Sequence, residues 1–218
     1  MKLFLDTAII DEIRTVHSWG VLDGVTTNPT LFAKAGGGSY EQVLEEICGI
    51  TSGPVSAEVI ADDLEGILRE GRAFTKIAPN IVIKVPMSEI GLSAISRFAE
   101  EGIKTNCTLI FSAAQGLLAA RAGAWLLSPF VGRLDDINQD GMEMIRELAA
   151  IIEIHGFESE VLVASVRSPR HVIDGALAGA GVATLPFKVF QQMIHHPLTD
   201  KGISQFKADW AEATANVR

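Results

Sequence analysis

The sequence predicts an α/β fold in which eight parallel strands, each followed by a helix, close into a (β/α)8 TIM barrel. Three observations carry this expectation. Short runs of β-branched and aliphatic residues recur eight times along the chain, and most are separated by stretches long enough for a helix. Repeated β–α units require parallel strands with helical crossovers. A chain of 218 residues suits eight such units in one barrel domain spanning 1–218. An open doubly wound sheet is the alternative with the same element order.

Strands are predicted over 3–6, 23–26, 55–60, 81–85, 104–110, 124–128, 161–165 and 181–185. Helices are predicted over 40–48, 64–74, 92–101, 113–122, 141–155 and 169–178, with a C-terminal helical segment over about 200–215. Ser112 is placed to cap the helix that follows it, with Gln115 at the capping-box position and Gly123 closing the far end. Gly156 follows His155 in the same closing role. The glycine run over 36–39 has no strand before it and no Gly-Lys pair after it, so it reads as a flexible loop.

Composition excludes several classes of function. With 48% hydrophobic and 21% charged residues the chain has an ordinary globular balance, which argues against bulk disorder. A formal charge of −9 makes a surface that repels nucleic acid and anionic membranes, so any anionic ligand must be held by local cations. The N-terminal residues meet acids by Asp6, unlike a signal peptide, and no run is apolar enough to span a bilayer; a cytoplasmic protein is expected. Cys48 and Cys107 lie in no Cys-x-x-Cys pair, which speaks against a disulfide framework or a zinc site. No His/Asp/Glu spacing reads as a metal site and no glycine-rich strand-to-helix turn suggests a nucleotide, so neither metal nor cofactor is expected. His17, His155 and His171 receive no role, and His195 and His196 mark a helix end before Pro197.

The informative feature is polar residues where strands should be aliphatic. Residues two apart in a strand share a face. Asp6 ends the first strand; Thr26 and Asn28 share a face at the end of the second; Ser56 and Glu58 share one on the third. Lys84 lies within Ile-Val-Ile-Lys-Val-Pro, Asn106 and Thr108 share a face while Cys107 points away, Ser128 ends strand six, and Ser165 and Arg167 end or follow strand seven. One face of most strands is therefore aliphatic, and the other turns polar toward its C-terminal end, where barrel active sites sit.

Lys84 gives the sharpest inference. Lysine is rarely buried without a partner. Burial disfavours the ammonium, and the neutral amine is the form that attacks a ketone to make an imine. The structural alternative is an ion pair with Asp6 or Glu58. Those two carboxylates are the candidate acid–base pair for the proton transfers of imine chemistry. Asp6 has the alternative of capping a helix that begins at Thr7, and Glu58 that of a counter-ion to Lys84. Arg133 and Arg167, each following a strand, are candidate phosphate ligands, because a guanidinium offers paired donors. For Arg133 the bland alternative is a salt bridge to Asp135 or Asp136 beside it.

Six segments at these positions resemble one family. Leu-Phe-Leu-Asp-Thr-Ala from residue 3, Gly-Val-Thr-Thr-Asn-Pro-Thr-Leu from 24, Val-Ile-Lys-Val-Pro-Met from 82, Thr-Asn-Cys-Thr-Leu-Ile-Phe-Ser from 105, Ser-Pro-Phe-Val-Gly-Arg-Leu-Asp-Asp from 128 and Leu-Val-Ala-Ser-Val-Arg-Ser-Pro from 162 are similar to the short-chain transaldolases and their relatives, the fructose-6-phosphate aldolases. The resemblance runs nearly end to end. It implies a class I aldolase-type barrel with a C-terminal helical extension. Lys84 then matches the Schiff-base lysine, Asp6 the acid/base aspartate, and Glu58 with Thr108 the pair that holds a catalytic water. Asn28 and Asn106 match asparagines that bind dihydroxyacetone hydroxyls, with Thr26, Ser128 and Phe130 in the same pocket, and Arg133, Ser165 and Arg167 match the phosphate site.

The resemblance also implies sugar phosphates as partners and a ring-shaped homo-oligomer, a pentamer or a pair of pentamers, in which the C-terminal helix reaches a neighbour. Ile203, Phe206 and Trp210 stand at helical spacing on that segment, and packing on their own barrel is the alternative. Fructose-6-phosphate aldolases typically carry Gln at the place of Glu58 and Tyr at that of Phe130, so both residues here side with transaldolase. The implied reaction moves dihydroxyacetone from sedoheptulose 7-phosphate to glyceraldehyde 3-phosphate. An aldolase releasing free dihydroxyacetone, and a barrel that only binds sugar phosphate, are the alternatives.

Overall fold

Eight parallel strands pair in strict sequence order, and the last pairs with the first, so the sheet is a closed barrel and not an open doubly wound sheet. The computed structural model describes residues 1–36 and 38–215. The strands are β1 (Lys2–Asp6), β2 (Gly24–Thr26), β3 (Val55–Glu58), β4 (Ile81–Pro86), β5 (Thr105–Ile110), β6 (Leu126–Pro129), β7 (Glu160–Val163) and β8 (Val182–Leu185). Around them lie α1 (Ile10–Ser18), α2 (Pro29–Ala35), α3 (Tyr40–Ile50), α4 (Leu64–Phe74), α5 (Glu89–Glu100), α6 (Ala113–Arg121), α7 (Val131–Asp135), α8 (Gly141–His155), α9 (Pro169–Leu177), α10 (Phe187–Ile194) and α11 (Pro197–Ala215).

Short polar side chains start most of these helices by accepting an otherwise orphaned backbone N–H. Asn28, Ser39, Asp63, Ser88, Ser112 and Asp140 all do so. Ser39 and Gln42 form a complete capping box. Gln115 does not form the expected box: its side chain reaches one residue further back and accepts from the N–H of Phe111 at 2.8 Å. Gly156 closes α8 in the left-handed conformation, as expected. Gly36 ends α2 likewise and Ser39 opens α3, whereas Gly37 of the expected loop lies outside the described residues. Asp6 does not cap a helix, because α1 begins at Ile10; Thr7 makes the local turn instead, accepting from the N–H of Ile9 and donating to Glu12.

Two apolar layers hold the barrel. The larger lies between the outer faces of the strands and the helices, and includes Leu5, Val25, Ile83, Val85 and Leu127 packed with Ile13, Leu44, Phe98 and Ile145. The smaller plugs the barrel interior with Phe4, Leu126, Leu162, Ala164 and Val182. Each of the larger side chains, Val, Leu, Ile or Phe, stabilises the fold by about 1.5–3 kcal/mol when fully buried. Gly24 makes room for the plug: a Cβ there would stand 2.8 Å from the Phe4 ring and 2.7 Å from the Pro54 carbonyl. Above the plug the inward positions turn polar. Register sets Asp6 beside Thr26, Thr26 beside Ser56, Glu58 beside Lys84 and Lys84 beside Asn106.

Helix α11 differs from the other long helices in having no buried residue; Phe206 is 75% and Trp210 73% exposed, so this segment does not pack its aromatic side chains on its own barrel. Among the described residues no helix is long and apolar enough to cross a membrane.

Candidate active site

The C-terminal ends of the strands enclose a cavity of about 320 Å³. Ten of the twelve predicted site residues line it: Asp6, Thr26, Asn28, Lys84, Thr108, Ser128, Phe130, Arg133, Ser165 and Arg167. Glu58 lies on an adjoining recess of about 400 Å³ that shares Lys84, Thr108 and Arg133.

Asn106 is on neither wall. It is fully buried behind Ser128, whose hydroxyl donates to its Oδ1 at 2.6 Å, while its Nδ2 donates to the Ser56 hydroxyl at 3.1 Å. One hydrogen bond engages each end of the amide within the protein, so Asn106 orients Ser128 from the layer beneath the cavity. A strand-face argument could not separate the layer that lines the cavity from the layer beneath it.

Lys84 projects from the middle of β4 and is only 5% exposed. Its Nζ lies 3.0 Å from Glu58 Oε2 and donates to the Thr27 carbonyl at 3.0 Å. The ion pair therefore goes to Glu58, its register neighbour, and not to Asp6. A nucleophilic lysine needs a neighbouring group that can take its proton, and Glu58 stands at that position.

Asp6 sits across the barrel on β1. Its carboxylate accepts from the Thr26 hydroxyl at 2.7 Å, and that hydroxyl accepts in turn from Thr184 at 2.6 Å. Burial pushes the Asp6 carboxyl above the ordinary carboxylate range, against the opposing pull of the Lys84 charge and the Thr26 hydrogen bond. A carboxyl so poised exchanges a proton nearer neutrality than a free aspartate does. The Thr108 hydroxyl, buried on the wall between cavity and recess, has no hydrogen-bond partner among the described residues. By contrast, burial pushes the thiols of Cys48 and Cys107 up to about 11 and about 12, so neither offers a thiolate.

Sequence reasoning missed several groups here. Thr184 and Lys34 line the cavity, and Tyr40 links the residue after β2 to the end of β3. The Tyr40 hydroxyl accepts from the N–H of Glu58 at 3.0 Å and bonds the Thr27 hydroxyl at 2.8 Å. Since the Thr27 hydroxyl donates to the Ser56 carbonyl at 2.8 Å, the shared proton belongs to Tyr40. Thr184 obeys the same rule as the others, a polar side chain near the end of a strand, and was findable by it. Tyr40 sits at the start of a helix, where nothing in the local pattern announces a link to β3.

Arg133, on α7, and Arg167, on the loop after β7, both line the mouth. Neither Asp135 nor Asp136 pairs with Arg133, contrary to the alternative drawn from their adjacency. Arg133 lies over the Phe130 ring, 5.0 Å from its centre. Asp136 takes Arg167 at 2.9 Å, and Asp135 takes His171 at 3.1 Å. Both guanidinium-bearing residues line the same cavity. Among the described residues three non-glycine residues adopt left-handed backbone: Leu109, next to a register shift between β5 and β6, Asn138 between α7 and α8, and Ser165. Each costs about 1–3 kcal/mol, a strain that clusters at functional sites. Asn28 accepts from the N–H of Leu31 through Oδ1, which leaves its amide nitrogen as the donor toward the cavity.

Fold and site together define a (β/α)8 barrel whose polar mouth is built around one buried lysine, with carboxylates on two strands and two arginines at the rim. The chain belongs to the transaldolase/fructose-6-phosphate aldolase family, whose description matches residues 3–217. It is 58% identical over 210 residues to a probable transaldolase of Heliobacterium modesticaldum, covering 96% of this chain and 97% of that one. A probable transaldolase of a Thermoanaerobacter species is 55% identical over 217 residues, 100% of this chain and of the relative to the nearest per cent, and one of a Roseiflexus species is 55% identical over 210 residues, 96% of this chain and 97% of the relative.

Proposed function

We propose that this chain is a transaldolase that carries dihydroxyacetone as a Schiff base on Lys84 from sedoheptulose 7-phosphate to glyceraldehyde 3-phosphate, giving erythrose 4-phosphate and fructose 6-phosphate. The single observation that carries the reading is Lys84 itself, buried in a strand, facing a cavity and ion-paired to Glu58. The neutral amine adds to the donor ketone and water leaves, forming the imine. Asp6 takes the proton of the hydroxyl on the carbon to be released, the carbon–carbon bond breaks, and the first aldehyde departs. The enamine left on Lys84 adds to the acceptor aldehyde, and water hydrolyses the new imine. Glu58 and the Thr108 hydroxyl, neighbours on the recess, hold that water and pass its protons. The chemistry balances with protein side chains and water alone. Asn28, Thr26 and Ser128 meet the hydroxyls of the three-carbon unit, with Asn106 acting through Ser128.

Arg133, Ser165 and Arg167 hold the phosphate. In a protein of net charge −9 the two rim arginines and Lys34 supply the local cations that an anionic substrate needs. Arg167→Ala should raise KM for phosphorylated donor about 10–100-fold with kcat nearly unchanged, since a charge-assisted bond contributes about 1.5–3 kcal/mol to ground and transition states alike. Equal use of fructose and fructose 6-phosphate by the parent would remove the phosphate site.

The test of the reaction is the ratio of transfer to free cleavage, measured at fixed donor with acceptor aldehyde varied. A transaldolase transfers faster than it releases dihydroxyacetone, and an aldolase does the reverse. Phe130 faces the enamine with a ring that has no proton to give, and its edge is packed on Phe111 with centroids 5.8 Å apart. Phe130→Tyr keeps the ring and adds one hydroxyl donor. It should raise cleavage relative to transfer by about tenfold, less than a fully positioned proton donor contributes. An unchanged ratio in a transferring parent would remove this account of selectivity and leave the reaction standing.

The reading extends to assembly. Ile203, Phe206 and Trp210 on α11 are exposed in the single chain, and their cover is a neighbouring copy in a pentamer or decamer. Light scattering should give five or ten chains; a monomeric mass that is unchanged on deleting α11 would reject it.

A further inference from the structure

His171 lies outside the cavity, yet it joins the two segments that carry the rim arginines, α7 and the loop after β7. Its Nδ1 accepts the backbone N–H of Arg167 at 3.3 Å, and its Nε2 stands 3.1 Å from Asp135 Oδ2. The acceptor at Nδ1 carries no proton, so the ring proton is on Nε2 and faces the carboxylate. Asp135 is fixed in turn: its Oδ1 accepts from the N–H of Gly141 at 3.1 Å, the first residue of α8.

This clasp reinforces a close fit between α7 and the loop after β7. The N–H groups of Val131 and Gly132 donate to the carbonyls of Ala164 and Ser165, each at 3.1 Å. A Cβ on Gly132 would stand 2.2 Å from the Ser165 carbonyl oxygen and 2.6 Å from Arg167 Nε, so the two segments touch only because residue 132 is glycine. Arg133 rides on α7 and Arg167 on the loop, and their separation is set by this contact. Ser165 holds left-handed backbone between them, a conformation that persists only when its surroundings over-determine it.

We infer that His171 is a positioning residue for anion binding: its two hydrogen bonds hold the Ser165–Arg167 loop against α7 at the spacing that lets Arg133 and Arg167 grip one phosphate group. The inference rests on the phosphate site proposed above and adds to it a residue that touches no substrate.

The test is binding of inorganic phosphate, read as a competitive inhibition constant and by calorimetry, together with the KM–kcat split for fructose 6-phosphate. His171→Phe keeps a ring and removes both hydrogen bonds. It should weaken phosphate about tenfold and raise KM similarly, with kcat within about twofold. His171→Gln offers an acceptor to Arg167 and a donor to Asp135, and should restore most of the loss. Should the phenyl ring prevent folding, His171→Ala carries the same expectation. Parent-like phosphate binding in the folded Phe or Ala variant overturns the inference, as does a Gln variant no better than the Phe variant. A parent that shows no inhibition by phosphate and no preference for phosphorylated sugar instead overturns the phosphate site on which the inference rests.

Discussion

Lys84→Arg should fold and lose transfer activity by ~10³-fold or more, the scale seen when a covalent nucleophile is removed. The guanidinium keeps a positive charge opposite Glu58, so the buried carboxylate retains a partner in place of the 3.0 Å ion pair. What it cannot offer is a neutral amine, because arginine does not lose its proton in proteins. Lys84→Met tests the other half of the argument. It leaves Glu58 buried without its cation, and should cost stability that the arginine variant does not, about 3–5 kcal/mol for breaking a buried pair. A lysine kept only as a counter-ion would show the opposite pattern, with the arginine variant active. Thermal melts beside turnover measurements separate the two.

Asp6→Asn should lower kcat by about 10²–10⁴-fold while leaving imine formation possible, since general acid–base groups contribute on that scale. The substitution keeps the oxygen that accepts from Thr26, so the β1–β2 contact survives. It removes the group that takes the hydroxyl proton at carbon–carbon cleavage. Borohydride should therefore still trap a donor sugar on the protein, and the trapped mass should shift toward the uncleaved donor. In the parent, burial holds Asp6 above the usual carboxylate range, so the rate should fall as pH drops through that raised value and more of the base is protonated. The low-pH limb should lie higher than a free aspartate would place it, and it should vanish in Asp6→Asn. A limb that persists in the variant would assign the base to another group.

Much of this site was legible because a barrel strand has a period of two. Asp6, Thr26, Ser56, Glu58, Lys84, Asn106, Thr108 and Ser128 are polar positions on strands whose other face is aliphatic, and closure of the sheet brings all of those faces to one axis. The strand pattern gave their face without their depth, which is why Asn106 and Ser56 proved to lie beneath the cavity with their side chains bonded to each other. Pairings across loops were not legible. Asp136 is adjacent in sequence to Asp135 and three residues from Arg133, yet it pairs with Arg167, because the loop after β7 folds onto α7. The Tyr40 hydroxyl reaches Glu58 across 18 residues for the same kind of reason. Short helices were lost too: α2 has the Asn28 cap and Pro29 at its start, signals that were present, whereas the five residues of α7 are too few to show a period.

The central claim is the covalent intermediate, and borohydride reduction in the presence of fructose 6-phosphate tests it most directly. Peptide mass mapping should find one adduct, of the size of reduced dihydroxyacetone, on the peptide that contains Lys84, and none in Lys84→Arg. An adduct on Lys76, Lys104 or Lys188, or undiminished turnover with no adduct anywhere, would contradict the account.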